Sequence, residues 1–503
     1  MITMPNTGWF GKRKWLVPPY TLALLGAIVR QSGHAITLLD PNLDNLSLDQ
    51  VLDFIVREEP DVVGITAMSL EYARGVHELT QAIRARGLRC KLLVGGIFAT
   101  TTPQLAMGNR AADFAILGEG EARIPRILEM LAAEEDKSAF ATFDGIAFWD
   151  HDDLRINPPQ AQVADLDTIP LPAYDLVGLH RYSPTNHRFG NVYNARYLPY
   201  AVTTTTRGCP FHCIYCSSHA IDGRKVRQRS AENVLAEIDW LVREYGIREL
   251  VFLDDQLNYD RTRYRHILNG LIERDYDLHW KAANITAFLL DVESLDLMAR
   301  SKCYQVIFPI ESGNQYVLDH ILRKPLKLSR IPALVNRCRE LGMETAVDFV
   351  IGSPGETWEQ IRDSCNFADL LDADLTSFHI ATPLPHTELY DKALSGGHLP
   401  SGFAFDNQEY FGFGRGCITT DEFAPHDLHI LRALEWDRIN FKTAEKRERF
   451  ANMTGISQEE LKAWRRNTIR NLGLYFPHQE DPAAEALPDR RGVSTTAARG
   501  DDK

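Results

Sequence analysis

Three cysteines carry the first chemical argument. Cys209, Cys213 and Cys216 stand in the run Arg207-Gly208-Cys209-Pro210-Phe211-His212-Cys213-Ile214-Tyr215-Cys216, with the spacing C-x3-C-x2-C. Placed directly after a strand, that spacing lets three thiolates converge on one point. Iron–sulfur clusters are normally held by four cysteines, so three thiolates on a four-iron cluster leave one iron free for a small-molecule ligand. Such an iron can do chemistry. The competing reading is a Cys3His zinc site completed by His212 or His219, which needs closed tetrahedral ligation. Eight cysteines in the whole chain are too sparse for a disulfide framework.

A loop of this kind needs a strand to deliver it and a sheet to hold it. Residues 200–206 supply the strand, and further apolar strand candidates follow at 249–253, 280–285, 305–310, 345–351 and 377–382, each separated by a helix-length segment. Together they form a six-unit β/α series within residues 199–420. One intervening helix is legible in detail: Val234, Leu235, Ile238, Leu241 and Val242 share a face, and Gly246 stops it.

Residues 1–135 show the same alternation on a smaller scale, with strand candidates at 35–39, 61–66, 91–94 and 113–117. Helices fit between them, one led by Leu22, Leu25, Ala27 and Val29 to Gly33, the other following a Ser47 N-cap. This predicts an open α/β domain. Residues 136–198 gather Pro158, Pro159, Pro170 and Pro172 and read as a linker with some strand. Residues 421–480 read as a small helical cap, and 481–503, with almost no large apolar residue, as a disordered tail.

The composition sets outer bounds. The chain has 503 residues, 44% hydrophobic and 24% charged, which is ordinary for a globular protein of roughly three units. Its formal net charge of −13 repels polyanions, so no nucleic-acid partner is expected. No apolar stretch approaches the roughly 20 residues a transmembrane helix needs, and the first residues lack a signal-peptide core. A cytoplasmic location is the expectation.

The cysteine spacing resembles the hallmark of the radical S-adenosylmethionine (SAM) superfamily. In that family the open iron chelates SAM, and reduction cleaves the sulfonium to a 5′-deoxyadenosyl radical. Later segments resemble the family's barrel motifs in order. Asp254-Asp255 ends the second strand, where the family sets a polar group against the SAM amine. Ile310-Glu311-Ser312-Gly313 resembles the ribose-contacting segment, and Gly352-Ser353-Pro354-Gly355-Glu356 the segment that approaches adenine. The resemblance therefore implies SAM contacts at Asp254, Asp255, Glu311, Ser312, Gly352 and Pro354. Thr382-Pro383-Leu384-Pro385-His386-Thr387 matches a segment that usually carries Gly where this chain has His386. His386 and Asp255 are the candidate proton-handling groups.

The N-terminal domain resembles the cobalamin-binding module that precedes the barrel in one large subfamily. In open α/β sheets ligands lie beyond the carboxyl ends of the strands, where Ser69-Leu70, Gly95-Gly96 and Gly118-Glu119 fall. The mutase-type D-x-H-x-x-G cobalt motif is absent, and Trp9, Phe10 and Trp15 are the candidate neighbours of the lower face of cobalamin. The implied fold class is α/β: a flavodoxin-like/Rossmann-type cobalamin-binding domain, a partial (β/α)6 radical SAM barrel and a small helical C-terminal cap.

The resemblance implies three cofactors, a [4Fe-4S] cluster, SAM and cobalamin. It implies a methyltransferase acting on an unactivated carbon of a small-molecule or lipid-like substrate, through the deoxyadenosyl radical and methylcobalamin, with an electron donor such as flavodoxin or ferredoxin. An oxidoreductase or cyclase of the same architecture, without net methylation, is the alternative. A methylthiotransferase would need additional cluster cysteines in the first domain, where only Cys90 stands.

Overall fold

The computed structural model describes residues 1–4, 17–182, 195–411 and 415–471. Trp9, Phe10 and Trp15 and the segment 481–503 lie outside the described residues.

The first sheet has the order β1 (Ile2–Thr3), β2 (Val62–Thr66), β3 (Lys91–Gly95), β4 (Phe114–Ile116), β5 (Ile146–Asp150) and β6 (Asp153–Asn157). Its first four strands are parallel, while β5 and β6 form an antiparallel hairpin against β4. The sheet therefore runs on beyond residue 135 into the stretch expected to be mainly linker. The segment 35–39 does not become a strand: only Leu39 forms a bridge, to Ile2. Ala35 and Thr37 are exposed, and the run lies at the edge of the sheet, so its apolar residues never meet a second partner strand. Helix Leu48–Glu58 starts as its sequence requires, with Ser47 and Gln50 forming a reciprocal capping box.

The second sheet contains every strand expected from the sequence. β7 (Tyr200–Thr203) opens it, and a short ribbon of β8 (Thr206–Arg207) and β9 (Arg227–Gln228) follows. Then come β10 (Glu249–Phe252), β11 (His279–Ala282), β12 (Cys303–Glu311), β13 (Glu344–Ile351) and β14 (Leu375–Ile380). The order β14-β13-β12-β11-β10-β7 is parallel throughout, a partial barrel with one open side. Helices Pro425–Asn440, Ala444–Thr454 and Gln458–Asn471 form the expected cap. Phe441, Phe450 and Ile456 bury themselves against Ile307, Ala346 and Leu375 of the sheet, and helix Pro425–Asn440 lies along β14.

A candidate site for an iron–sulfur cluster and its cofactors

The two-stranded ribbon β8–β9 is the neck of the cysteine loop. Gly208 has φ +88°, and a Cβ there would collide with the Lys225 carbonyl oxygen, so this position of the neck requires glycine. The Cys209 N–H donates to the Gly223 carbonyl at 3.1 Å and the Ile214 N–H to the Leu322 carbonyl at 3.1 Å, tying the loop at both ends. Beneath it, Asp254 Oδ1 accepts from the Thr205 N–H (2.8 Å), the Thr205 hydroxyl (2.7 Å) and the Thr206 hydroxyl (2.8 Å). Asp254 is thus turned into the protein, where it holds the strand that delivers the loop. Burial pushes its carboxyl up, against those hydrogen bonds. Its neighbour Asp255 is exposed, accepts from the Ser218 hydroxyl and stands close enough to Cys209 and Cys216 to raise both thiols.

The three thiols lie within electrostatic reach of one another: a charge on Cys216 is repelled by both Cys213 and Cys209. Burial pushes all three thiols up, Cys216 to about 12, so iron must displace three protons on entering. Donors are already in place for the thiolates. The Gln256 amide lies 3.3 Å from the Cys209 sulfur, backbone N–H groups of Phe211 and Ser218 favour the Cys209 and Cys216 thiolates, and the Tyr215 hydroxyl faces Cys213. Such hydrogen bonds to sulfur tune a cluster's potential. The His219 ring is turned to the carbonyl oxygens of Cys216, 3.2 Å from Nδ1, and of His386, which braces the loop and leaves the zinc reading without that ligand. Three half-buried thiols with ready N–H donors fit a cluster held by three cysteines.

Beyond the loop, Glu311 sits at the end of β12 with φ +74°, next to a break in the register with β13. Its carboxylate pairs with Lys324 at 3.0 Å, and the Tyr215 hydroxyl faces both Glu311 and Cys213 with one proton to give to either, so the three side chains adjoin. Ser312 is fully buried, its hydroxyl 3.2 Å from that of Ser364 and accepting from the Asn314 N–H. Gly352 has φ +87°, and the space a side chain would need is filled by Leu428 from the cap. Pro354 is half-buried beside it. Glu356 accepts from the Gly352 and Ser353 N–H groups at 2.7 and 3.2 Å, closing the turn after β13.

At the carboxyl end of the first sheet, Gly95 has nothing nearer than 3.8 Å where a Cβ would stand. Met68, at the end of β2, is 67% exposed. A glycine and an exposed apolar side chain at this end of the sheet fit one face of a flat corrin. Other expected cradle residues are otherwise engaged. A Cβ on Gly96 would collide with the Ala67 carbonyl, Leu70 is buried against the turn Gln408–Phe411, and Ser69 caps its own turn through the Glu71 N–H. Gly118 has φ +68° and lies under Pro159. Glu119 points away from the cradle and pairs with Arg207 and Arg227 of the neck.

His386 has φ +60°, the left-handed region, which explains why the resembling segment usually has glycine there. Its Nε2–H donates to the Thr101 carbonyl of the first domain at 2.9 Å. It also lines a cleft of about 290 Å3 beside the loop, with His212, Cys213, His219, Arg224 and Arg323. Sequence reading missed the pair Asp348 and His379, 3.8 Å apart on β13 and β14. Both lie on the face opposite Phe349 and Phe378, which pack under the outer helices. The alternation of side chains along these strands was the available signal.

Known proteins share this order of domains. Residues 9–128 match the B12 binding domain model and residues 203–368 the radical SAM superfamily model. An uncharacterised methyltransferase of Pyrococcus horikoshii is 30% identical, the match covering 76% of this chain and 80% of that protein. The cytidylyl-2-hydroxyethylphosphonate methyltransferase of Streptomyces wedmorensis is 28% identical over 76% of this chain and 78% of its own. The radical SAM methyltransferase TsrM from Kitasatospora setae, solved with cobalamin and a [4Fe-4S] cluster, superposes with a TM-score of 0.63 at 21% identity, covering 79% of this chain and 78% of that one. With a three-cysteine loop at the mouth of a partial barrel and an open α/β sheet in front of it, the chain belongs to the cobalamin-binding branch of the radical SAM superfamily.

Proposed function

We propose that the protein methylates an unactivated carbon of a small molecule that carries a polar group. The single observation that carries this reading is the junction of the two domains. Helix Ile97–Thr101, which follows the Gly95–Gly96 edge, packs against helix Ser218–Asp222 of the cysteine loop, and His386 bonds Thr101 across the same junction. A corrin at the first edge and a cluster in the loop would then act on one substrate.

Cluster, SAM and cobalamin, when bound, supply hydrogen abstraction and a methyl donor. The chain's own residues bind and orient. Cys209, Cys213 and Cys216 would hold the cluster, Asp255, Glu311 and Pro354 border the SAM position, and Gly95 with Met68 offer the corrin its apolar bed. Phe211 packs edge-on against Phe288 at 4.8 Å beside the cysteines. The Asp348–His379 pair suits a polar substrate group on the concave face of the barrel. The Streptomyces relative's phosphonate substrate has that polarity. A small one-electron donor such as flavodoxin or ferredoxin completes the requirement.

The test is to supply SAM with a deuterated methyl group to the reduced holoenzyme and a substrate extract. Labelled product accompanied by both 5′-deoxyadenosine and S-adenosylhomocysteine is expected. An unlabelled product formed with deoxyadenosine alone would replace methyl transfer by oxidoreductase or cyclase chemistry.

A further inference from the structure

Both strands of the neck below the cysteine loop are ion-paired to the other domain. Arg207, two positions before Cys209, places Nη1 3.1 Å from Glu119 Oε1 and directs Nη2 to Glu121. From the opposite strand, Arg227 places Nη1 2.6 Å from the same Glu119 oxygen. Glu119 Oε2 accepts from the Val163 N–H at 2.6 Å, and Arg227 also donates to the carbonyls of Val163 and Asp222 at 2.8 and 3.1 Å. These groups are almost dry: the side chains of Arg207, Glu119, Glu121 and Arg227 are 15%, 7%, 11% and 4% exposed. Both carboxylates come from Gly118-Glu119-Gly120-Glu121, the loop that leaves β4 at the edge where the corrin bed lies.

Two guanidiniums and two carboxylates away from water do not earn their place as stability alone, because apolar residues of similar volume usually serve a core equally well. What the charged arrangement adds is direction. Planar guanidinium groups accept few positions relative to the carboxylates they hold, and here the guanidiniums belong to the neck of the cysteine loop and the carboxylates to the other domain. Although burial pushes the Glu119 carboxyl up, the Val163 N–H and the two guanidiniums hold it below the usual carboxylate range, so it stays charged. Chemistry shared between two cofactors tolerates little error, since a displacement of about 1 Å can cost on the order of a hundredfold in rate.

We propose that the network Arg207–Glu119–Glu121–Arg227 is a positioning device that fixes the separation between the cysteine loop and the corrin edge. None of these residues touches the reacting atoms. They act through the loop that carries Cys209 and the loop that ends β4. The inference rests on cofactor binding, and it stands whether the product is methylated or not.

The experiment measures the electron–electron dipolar coupling between reduced cluster and cob(II)alamin in frozen, fully loaded protein, for which no substrate is needed. Wild type should give one narrow distance distribution. Arg207→Gln should keep its iron and cobalt content and give a distribution about two-fold wider, because a buried network stripped of one fork opens locally. Arg207→Lys, which keeps charge but loses the fork, should fall between the two. A folded Arg207→Gln that melts earlier yet keeps the wild-type distribution would assign the network a merely structural role and overturn the proposal. If Arg207→Gln does not fold, Glu121→Gln, which leaves the Arg207–Glu119 pair intact, is read the same way. An unwidened distribution there overturns it equally.

Discussion

Asn440 hydrogen-bonds both backbone groups of Thr376: its Oδ1 accepts from the Thr376 N–H at 2.8 Å and its Nδ2 donates to the Thr376 carbonyl at 2.8 Å. Thr376 lies on β14, the last strand of the partial barrel, and Asn440 is fully buried at the end of helix Pro425–Asn440. One turn pair higher, Arg432 donates to the Phe378 carbonyl of the same strand. A helix thus satisfies the edge that a complete barrel would close with another strand.

Replacing Asn440 by Leu should therefore destabilise the protein by about 2–4 kcal/mol, the cost of leaving a buried donor and acceptor unpaired. Chemical unfolding followed by fluorescence measures it. A midpoint equal to wild type would mean that water reaches this edge and the helix is not its cover.

Anaerobically reconstituted protein should carry one four-iron cluster, and the triple variant Cys209, Cys213 and Cys216→Ala should lose it. Iron and sulfide analysis with visible absorption decides the matter. Retention of the same iron and spectrum by the variant, or uptake of zinc alone by wild type, would refute the assignment of the loop.

Bound cobalamin should be base-off and without a protein imidazole on cobalt, because the chain lacks the D-x-H-x-x-G motif. Electron paramagnetic resonance of the cob(II)alamin form reads the axial ligand directly. Nitrogen superhyperfine splitting from a histidine would contradict the expectation, as would absence of binding at micromolar protein.

Glu356 gives the pH dependence of stability a specific source. Burial pushes its carboxyl from 4.5 up to about 7, against the two N–H groups that donate to it. The folded state therefore binds this proton more tightly than the unfolded chain does. Its contribution is complete below the ordinary carboxylate pKa and is lost as pH rises through about 7. Glu356→Gln keeps a neutral acceptor at all pH values. It should match wild type near pH 4 and exceed it at pH 8, by at most about 3 kcal/mol. Thermal melts at both pH values test this, and a variant less stable than wild type at pH 8 would show that the charged form is the one the turn requires.

Local patterns determined much of this protein. The cysteine spacing, the strands of the barrel and the Ser47 cap follow from neighbours a few residues apart, where period and residue type act directly on the backbone. Tertiary structure alone decided which way the polar residues at the strand ends face. Asp254 turned inward to Thr205, Glu119 turned from the end of the first sheet to two arginines, Leu428 took the space over Gly352, and Asp348 met His379 across two strands. It also kept residues 35–39 out of the sheet and brought the hairpin of β5 and β6 into it. The reason is physical. A carboxylate at a strand end turns to whichever donor reaches it, and the donor that reaches Glu121 is Arg207, 86 positions along the chain. No local period encodes that distance, which exists only once both domains have folded and their edges meet.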